Sequence, residues 1–284
     1  MSAFGSGAEL TATRARIYDS AFRPHPFVDE LNELFAYRDL VALWSVRNIT
    51  LRYKRSVLGV LWTLLEPLLL MTTLAVVFTA IFRFALENYA IYILSGLIAY
   101  DFFSRSTCQV VDEVLSGQSI AQRIHLPRSA FAVATIASYL VNWSLALIPL
   151  FGIMLFLKHP FSWSLVAVPL CMLLMASFAL GVGLIVSTLG ASFHDIKLTY
   201  NVLLNIWFYA TPIIYPIQII PEDYRALMQL NPLFHLVSLF RSCIYDGQMA
   251  PASAWLITTL LSLVTVTFGW WLFTRSRSVF ETGV

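Results

Sequence analysis

The sequence has very little charge. Of its 284 residues, 12% are charged and 58% are hydrophobic, and the mean hydropathy is +0.74. A soluble globular domain has about 25% charged residues, so this composition excludes an ordinary soluble domain and predicts an integral membrane protein. The formal net charge is only +2, and no dense block of basic residues occurs. This charge pattern argues against a nucleic-acid partner.

The sequence also lacks the short motifs that mark common catalytic and metal sites. Its only lysines are Lys54, Lys158 and Lys197, and none follows a glycine. The GxxxxGK[ST] loop that holds nucleotide phosphates is therefore missing. HExxH, GxSxG and CxxC are missing as well, and the three cysteines and five histidines are scattered. We therefore expect no catalytic site, no metal and no cofactor in this chain.

Six long runs have almost no charge and are long enough, at roughly 20 residues, to cross a bilayer as helices. They predict an all-α integral membrane protein with six transmembrane helices, at residues 57–82, 89–111, 130–157, 161–193, 198–220 and 252–273. Residues 56–275 would form this six-span transmembrane domain, and residues 276–284 a short cytoplasmic tail. Residues 1–28 are polar and lack the apolar stretch of a secretory signal peptide, so we expect a flexible cytoplasmic segment there.

The basic residues predict the orientation. An even number of spans puts both termini on one side, and thirteen of the eighteen Lys and Arg residues fall on that side of the six spans. Four fall on the other side, and Arg105 lies within the second run. Because basic loops stay in the cytoplasm, both termini are predicted to be cytoplasmic.

Two further segments are amphipathic without being long enough to span. Residues 29–55 place Tyr37, Leu40, Val41 and Trp44 on one face, which predicts a helix at the membrane–water interface. An ordinary packed cytoplasmic helix is the alternative. Residues 221–247 lie between the last two runs and are divided by a proline, which predicts a re-entrant helical hairpin on the outer side. The alternative is a seventh span over residues 226–245.

Charged residues inside the runs are expensive in lipid and therefore informative. Glu66, followed by Pro67, lies inside the first run. It must pair with a cation, face a wet cavity or be protonated, unless the span begins later and Glu66 sits near the headgroups. Asp101 and Arg105 are one helical turn apart and can neutralise each other. We therefore predict a bent first span whose inner half flanks an aqueous path.

The stretch "NIWFYATPIIYP" places Asn205, Trp207, Phe208 and Tyr209 within the fifth run. An interfacial aromatic belt is the ordinary explanation for such rings. Aromatic faces beside amides and hydroxyls would also suit a glycan. The loop stretches "SGQSIAQRIHLPRSAF" and "ASFHDIKLTYN" could dock a soluble partner or serve as solvated connectors.

Six stretches occur in an order that is typical of one family: "RNITLRYKRSVLGVLWTLLEPLLLM", "ILSGLIAYDFF", "IAQRIHLPRSAF", "STLGASFHDIK", "LLNIWFYATPIIYP" and "LNPLFHLVSLFR". Over residues 38–245 the chain resembles the type-2 permease subunit of ATP-binding-cassette exporters that move O-antigen, capsular polysaccharide or teichoic acid. The resemblance implies two permease copies and two cytoplasmic ATPase subunits, which bind ATP and Mg. It also implies an N-terminal interface helix, outer re-entrant gate helices between spans five and six, and a lipid-linked polysaccharide substrate at the inner membrane.

Carried onto this sequence, the resemblance implies four groups of residues. The channel and glycan-contact candidates are Trp62, Glu66, Tyr100, Phe103, Trp207, Phe208 and Tyr209. The ATPase-coupling candidates are Gln118, Gln122, Arg123, Pro127, Arg128, His194 and Asp195. The outer-gate candidates are Pro221, Asn231, Pro232, Phe234 and Phe240. The interface anchors are Trp44, Arg52, Lys54 and Arg55.

One position departs from the family pattern, since His194 stands before Asp195 where an arginine is often found. If that arginine contacts the ATPase, the contact here is expected to be weaker or pH-sensitive. A related permease for a drug, lipid or other hydrophobic solute is the main alternative function. A membrane-embedded glycan- or lipid-modifying enzyme would need a catalytic cluster, and the runs contain only two acids, Glu66 and Asp101.

Overall fold

The computed structural model describes residues 26–54, 56–78, 88–123, 127–193 and 195–276. Within these ranges the chain is helical and has no β-strand, which confirms the all-α prediction. Ten α-helices occur in the described part of the chain: α1 (Pro26–Ala36), α2 (Arg38–Tyr53), α3 (Leu61–Val76), α4 (Tyr89–Arg123), α5 (Ser129–Phe156), α6 (Val168–Ser192), α7 (Ile196–Ala210), α8 (Glu222–Gln229), α9 (Pro232–Ile244) and α10 (Ala252–Arg275).

The predicted interface helix at residues 29–55 is divided into α1 and α2 by a break at Tyr37. Helix α1 begins at Pro26, inside the segment predicted to be flexible. Helix α2 packs along the first half of α5, where the Trp44 ring meets the Phe131 ring edge-on at 4.9 Å. Three members of the predicted apolar stripe, Leu40, Val41 and Trp44, are half-buried, whereas its first member, Tyr37, is exposed. The other face of α2 leaves Leu43, Val46 and Leu51 exposed.

Among the residues that the structure describes, three helical segments are long and apolar enough to cross a membrane: Ser129–Phe156, Trp163–Ser192 and Ala252–Arg275. Helix α4 is much longer than its predicted span at residues 89–111, because it continues to Arg123. At 1.5 Å per residue its 35 residues extend about 52 Å, beyond a hydrocarbon core of about 30 Å. The stretch after this span, predicted to be a loop, therefore continues α4 as far as Arg123.

Helix α7 is shorter than the run predicted at residues 198–220, because it ends at Ala210. Pro212 and Pro216 explain this early end, since a proline lacks the amide donor and disfavours helical backbone at the residue before it. Residues 211–216 are non-helical. Helices α8 and α9 follow, separated at Asn231 as the proline at position 232 predicted. A seventh span over residues 226–245 is inconsistent with this break.

Helices α6 and α10 cross at a point where only glycine fits. A β-carbon on Gly181 would lie 2.5 Å from the backbone carbonyl of Thr265, and one on Gly269 would overlap the carbonyl of Gly181. Small residues at such crossings let two backbones approach closely in membranes. This contact fixes the last helix closely against α6.

Candidate functional site

The first candidate feature is a cavity between α2, α3, α4 and α5, which we call the α2–α5 cavity. Its volume is about 290 Å³. The turn from α2 into α3 forms one rim, where Gly59 has a φ of +51° and its amide donates to Ser56 Oγ at 3.0 Å. Glycine adopts that left-handed backbone without a steric penalty. The lining residues are Arg52, Tyr53, Ser56, Gly59, Trp62, Thr63, Glu66, Pro67, Ile98, Asp101, Phe102, Arg105, Tyr139, Asn142 and Trp143.

Three charged side chains meet in this cavity. The Arg105 guanidinium pairs with Glu66 through Nη2 and with Asp101 through Nε, the latter at 2.5 Å. The three side chains are between 43% and 51% exposed in the single chain. The predicted Asp101–Arg105 pair is confirmed, and Glu66 both pairs with a cation and faces a cavity. The link from Glu66 on α3 to Arg105 on α4 was not predicted, because 39 positions separate them.

Tyr53 connects three of the cavity helices. Its hydroxyl donates to Asn142 Oδ1 on α5 at 2.8 Å and lies 2.6 Å from Thr63 Oγ1 on α3. A phenol carries one proton, so Thr63 is the donor in the second bond. Next to Tyr53, Arg52 lies over the Tyr139 ring at 3.8 Å. Arg52, predicted to anchor the interface helix, therefore also lines the cavity. Both Arg52 and Lys54 are exposed.

A second cavity of about 380 Å³ lies between α3, α4 and α7, and we call it the α3–α7 cavity. It shares Glu66, Pro67 and Asp101 with the first cavity, so the two meet at the charged cluster. Pro67 lies inside α3, which continues past it. The other lining residues are Leu70, Leu74, Leu97, Tyr100, Ser104, Asn205, Phe208, Tyr209 and Ile214.

The predicted channel aromatics separate into accessible and buried groups. Trp62 and Tyr209 are 49% and 68% exposed and each lines one cavity. Tyr100 is buried and donates its hydroxyl to the Leu204 carbonyl, although it contributes to the α3–α7 cavity wall. Phe103 has no exposed surface. Its assignment to the channel was wrong, because the face of α4 that carries it packs against the core, where its ring contacts Phe178 and Trp207.

Comparison with known proteins decides the family. A family model described as "ABC-2 type transporter" matches residues 40–245. The chain belongs to the ABC-2 type transporter family. It is 28% identical over 255 residues to the O-antigen export system permease protein RfbA of Myxococcus xanthus, which covers 88% of this chain and 95% of that protein.

Two other relatives of this ABC-2 type transporter have related names. An O-antigen export system permease protein RfbA of Klebsiella pneumoniae is 27% identical, with 74% of this chain and 82% of that protein covered. The polysialic acid transport protein KpsM of Escherichia coli is 25% identical over 238 residues, which cover 79% of this chain and 88% of that protein. The family match begins within α2 and ends just after α9, so both cavities lie inside it.

In this ABC-2 type transporter, Asn231 ties α7 to the start of α9. Its Oδ1 caps α9 by accepting from the Leu233 amide at 3.0 Å, and it accepts from Trp207 Nε1 at 2.7 Å. Its Nδ2 donates to the Ala210 carbonyl and to Thr211 Oγ1. The predicted gate residue Asn231 thus holds the end of the aromatic helix against the outer segment.

Arg241 is a functional candidate that was not among the predicted site residues. It is buried, yet it donates to the carbonyls of Pro212 at 2.9 Å, Ile213 at 3.1 Å and Tyr92 at 3.3 Å. Its guanidinium also lies 3.7 Å over the Tyr92 ring. The bonds to Pro212 and Ile213 pair carbonyls of the non-helical segment that follows α7, and the bond to Tyr92 links this segment to α4. An arginine within an apolar helix was the available signal.

The other predicted gate residues differ in burial. Pro221 is exposed before the first turn of α8, whereas Pro232 begins α9 and Phe234 is half-buried. Phe240 is only 1% exposed and its ring lies 5.1 Å from that of Trp143. Phe240 therefore faces the core side of α9, and its assignment to the gate stays a prediction.

The predicted coupling end of the transporter is connected to the cavity helices. On α4, Asp112 forms an ion pair with Lys197 of α7 at 2.7 Å, and Glu113 accepts from Trp44 Nε1 of α2 at 3.5 Å. Pro127 is buried, Arg128 is half-buried and Asp195 is exposed. The remaining predicted residues lie outside the described part of the chain, namely Arg55, His194 and the side chains of Gln118, Gln122 and Arg123.

At the start of α5, the buried Glu30 of α1 accepts from both the amide and the hydroxyl of Ser129, at 3.3 and 2.7 Å. Helix α5 has no side-chain cap of its own. A carboxylate stabilises the positive end of a helix, so α1 supplies this cap. Helix α1 is therefore fixed to Ser129, which directly follows the predicted coupling segment at residues 118–128.

Proposed function

We propose that this chain is the permease subunit of an ATP-driven exporter that moves a lipid-linked polysaccharide across the cytoplasmic membrane. The single observation that carries the proposal is the pair of adjoining cavities that combine charged, amide and aromatic side chains within the apolar helices. The names of its relatives, O-antigen and polysialic acid export proteins, favour polysaccharide over a hydrophobic solute. An apolar solute would not require the charged cluster of Glu66, Asp101 and Arg105.

ATP hydrolysis in this proposal belongs to a separate ATPase subunit that binds ATP and Mg. The proposed complex contains two permeases and two ATPases in the inner membrane, with six spans and both termini of this chain in the cytoplasm. Closure of the ATPases would push on residues 118–128 at the end of α4. The Asp112–Lys197 pair and the Trp44–Glu113 bond would pass that movement to α7 and α2.

The outer segment would act as the gate. Helices α8 and α9 are joined to the aromatic end of α7 by Asn231 and Arg241. Movement of α7 would therefore move the outer helices with it. The exposed apolar face of α2, with Lys54 at its end, would lie against lipid.

Two experiments test the function. First, a tagged chain extracted in mild detergent should co-purify with an equal amount of an ATPase that hydrolyses ATP. Absence of any ATPase would contradict the exporter assignment. Second, a strain lacking this gene should lose its surface polysaccharide, and the wild-type gene should restore it.

Two substitutions of exposed aromatic residues test the glycan path in the second experiment. Tyr209→Ala removes an exposed ring from the α3–α7 cavity and should reduce restored polysaccharide. Phe156→Ala is the matched control, because Phe156 is 85% exposed at the far end of α5. If both variants restore polysaccharide equally, Tyr209 is not part of the glycan path. If deletion leaves polysaccharide intact but impairs efflux of a hydrophobic drug, the solute-exporter alternative holds.

A further inference from the structure

Two buried cysteines meet where the end of α9 lies beside the start of α6. Cys171 is in the first turn of α6, and Cys243 is the last residue but one of α9. Their Sγ atoms are 3.9 Å apart, although 72 positions separate the two residues in the sequence. Both are free thiols in the structure, and the residues are 3% and 0% exposed. A disulfide bond is about 2.05 Å long, so the two sulfurs would need to approach by only about 1.9 Å.

A second contact holds the same two segments together without the sulfurs. The buried Ser164 lies in the short 3-10 helix Trp163–Ala167, which leads directly into α6. Its hydroxyl donates to the carbonyl of Cys243 at 2.7 Å. The backbone of Cys243 is therefore fixed beside the start of α6, so the short distance between the sulfurs does not depend on the cysteine side chains alone.

Both cysteines lie toward the outer side of the membrane in the orientation given under the proposed function. With a cytoplasmic N-terminus, α5 runs outward and α6 returns inward, so the first turn of α6 is at the outer side. Helix α9 belongs to the outer segment between the last two spans. Disulfide bonds form and persist in the oxidising compartment outside the cytoplasmic membrane, whereas thiols in the cytoplasm stay reduced.

The third cysteine of the chain, Cys108, provides an internal comparison. It lies on α4 near the inner end of the span predicted at residues 89–111. It is half-buried, and its thiol donates to Asn201 Oδ1 at 3.2 Å. Cys108 therefore has a polar partner of its own and lies toward the reducing side, so we expect it to remain a thiol.

We propose that Cys171 and Cys243 form a disulfide bond that fastens the end of α9 to the start of α6. The oxidant is the disulfide of a dithiol–disulfide exchange protein in the outer compartment. One S–S bond forms between the two cysteines, which lose two electrons and two protons. The S–S bond of the oxidant breaks, and its two sulfurs take up those electrons and protons as two thiols. Because both cysteines are buried in the folded chain, the exchange takes place while the outer segment folds.

The bond would give the outer segment a fixed end. It closes a loop that contains α7, α8 and nearly all of α9. Arg241 is two residues before Cys243 and holds the carbonyls of Pro212 and Ile213. Fixing this end of α9 would therefore also stabilise the non-helical segment after α7. None of the residues of α8 is buried, so α8 would keep its freedom to move in the gate.

Differential labelling of the whole transporter tests the bond. Thiols are quenched with acid at harvest and blocked with N-ethylmaleimide in denaturant. The protein is then reduced, labelled with deuterated N-ethylmaleimide and digested for mass spectrometry. We expect the deuterated label on Cys171 and Cys243 and the light label on Cys108, and the unreduced digest should contain the two peptides joined. In Cys171→Ala, Cys243 should carry the light label, whereas Cys108→Ala is the matched control and should leave the bond intact.

Thermal unfolding measures what the bond contributes. Treatment with a phosphine reductant should lower the midpoint of the wild-type transporter by roughly 3–8 °C, the effect expected for one native disulfide in a chain of this length. The same treatment should not change the midpoint of the double variant Cys171→Ala, Cys243→Ala. Each protein is compared with and without reductant, so any packing loss caused by the substitutions cancels.

The possible results separate the bond from the exporter function. Light label on all three cysteines would overturn the proposal and leave Cys171 and Cys243 as an ordinary packed pair. Deuterated label on the pair without the joined peptide would mean that they bond to other molecules, which also overturns it. An equal effect of the reductant on the wild type and the double variant would show that the bond does not stabilise the fold. Restoration of surface polysaccharide by the wild-type gene is measured separately, so export with free thiols overturns the disulfide alone.

Discussion

The charged cluster predicts an asymmetry between two substitutions in the α2–α5 cavity. Glu66→Gln leaves Arg105 paired with Asp101 at 2.5 Å and changes the charge of the three-residue cluster from −1 to 0. Arg105→Gln instead leaves two carboxylates beside each other and changes that charge to −2. We therefore expect Arg105→Gln to destabilise the protein much more than Glu66→Gln, although each removes one side of the same ion pair.

The exposure of the three cluster side chains sets the expected loss of folding free energy. Removing one partner of a fully buried pair costs about 3–5 kcal/mol, whereas exposed pairs contribute about 0–1 kcal/mol. The cluster side chains are 43–51% exposed in the single chain, so we expect a loss of about 2–3 kcal/mol for Arg105→Gln. For Glu66→Gln we expect a loss of less than about 1 kcal/mol. The triple variant Glu66→Gln, Asp101→Asn and Arg105→Gln has no charge in the cluster. It should recover most of the stability lost in Arg105→Gln, because well-matched neutral groups can replace an ion cluster at little cost.

The assay is thermal unfolding of the purified transporter in one detergent at one scan rate, since membrane proteins often unfold irreversibly. A loss of 2–3 kcal/mol corresponds to a fall of about 3–5 °C in the midpoint for a chain of this size, because unfolding entropy is about 2.1 cal/mol/K per residue. If Arg105→Gln and Glu66→Gln lower the midpoint equally, or if the triple variant is no better than Arg105→Gln, the electrostatic account of the cluster is refuted.

Three further predictions follow from other contacts. Gly181→Ala should lower stability by about 1–3 kcal/mol through the clash with α10, whereas Gly152→Ala, which meets open space, should not; equal midpoints would contradict the close crossing. Arg241→Met should cost about 2–4 kcal/mol because it leaves buried carbonyls without a donor, and export should fall with it; an unchanged midpoint would show that the carbonyls find other partners. Glu30→Gln should cost about 0.3–1 kcal/mol by removing the charge at the start of α5, measured by the same thermal assay against Glu30→Ala, which should cost more.

Local patterns predicted the parts of the fold that depend on local chemistry. Apolar periodicity and low charge predicted an all-helical membrane protein, and Pro232 predicted the break between α8 and α9. The Asp101–Arg105 pair was predictable because four residues bring two side chains to one face of any helix. Pro212 also explains the early end of α7, because proline disfavours helical backbone at the residue before it. Hydropathy alone does not show this end, since the apolar run continues to residue 220.

The sequence by itself determined that this chain is helical, apolar and interrupted at its prolines, because backbone sterics and helical periodicity act within a few residues. Only the tertiary structure decided which face of each helix meets protein. It buried Phe103 and Phe240, which composition alone could not distinguish from exposed aromatics. It also joined Glu66 to Arg105 and placed Arg241 on the end of α7. Such contacts depend on how separate helices pack, and that packing is decided by the shape and charge of the whole assembly of helices.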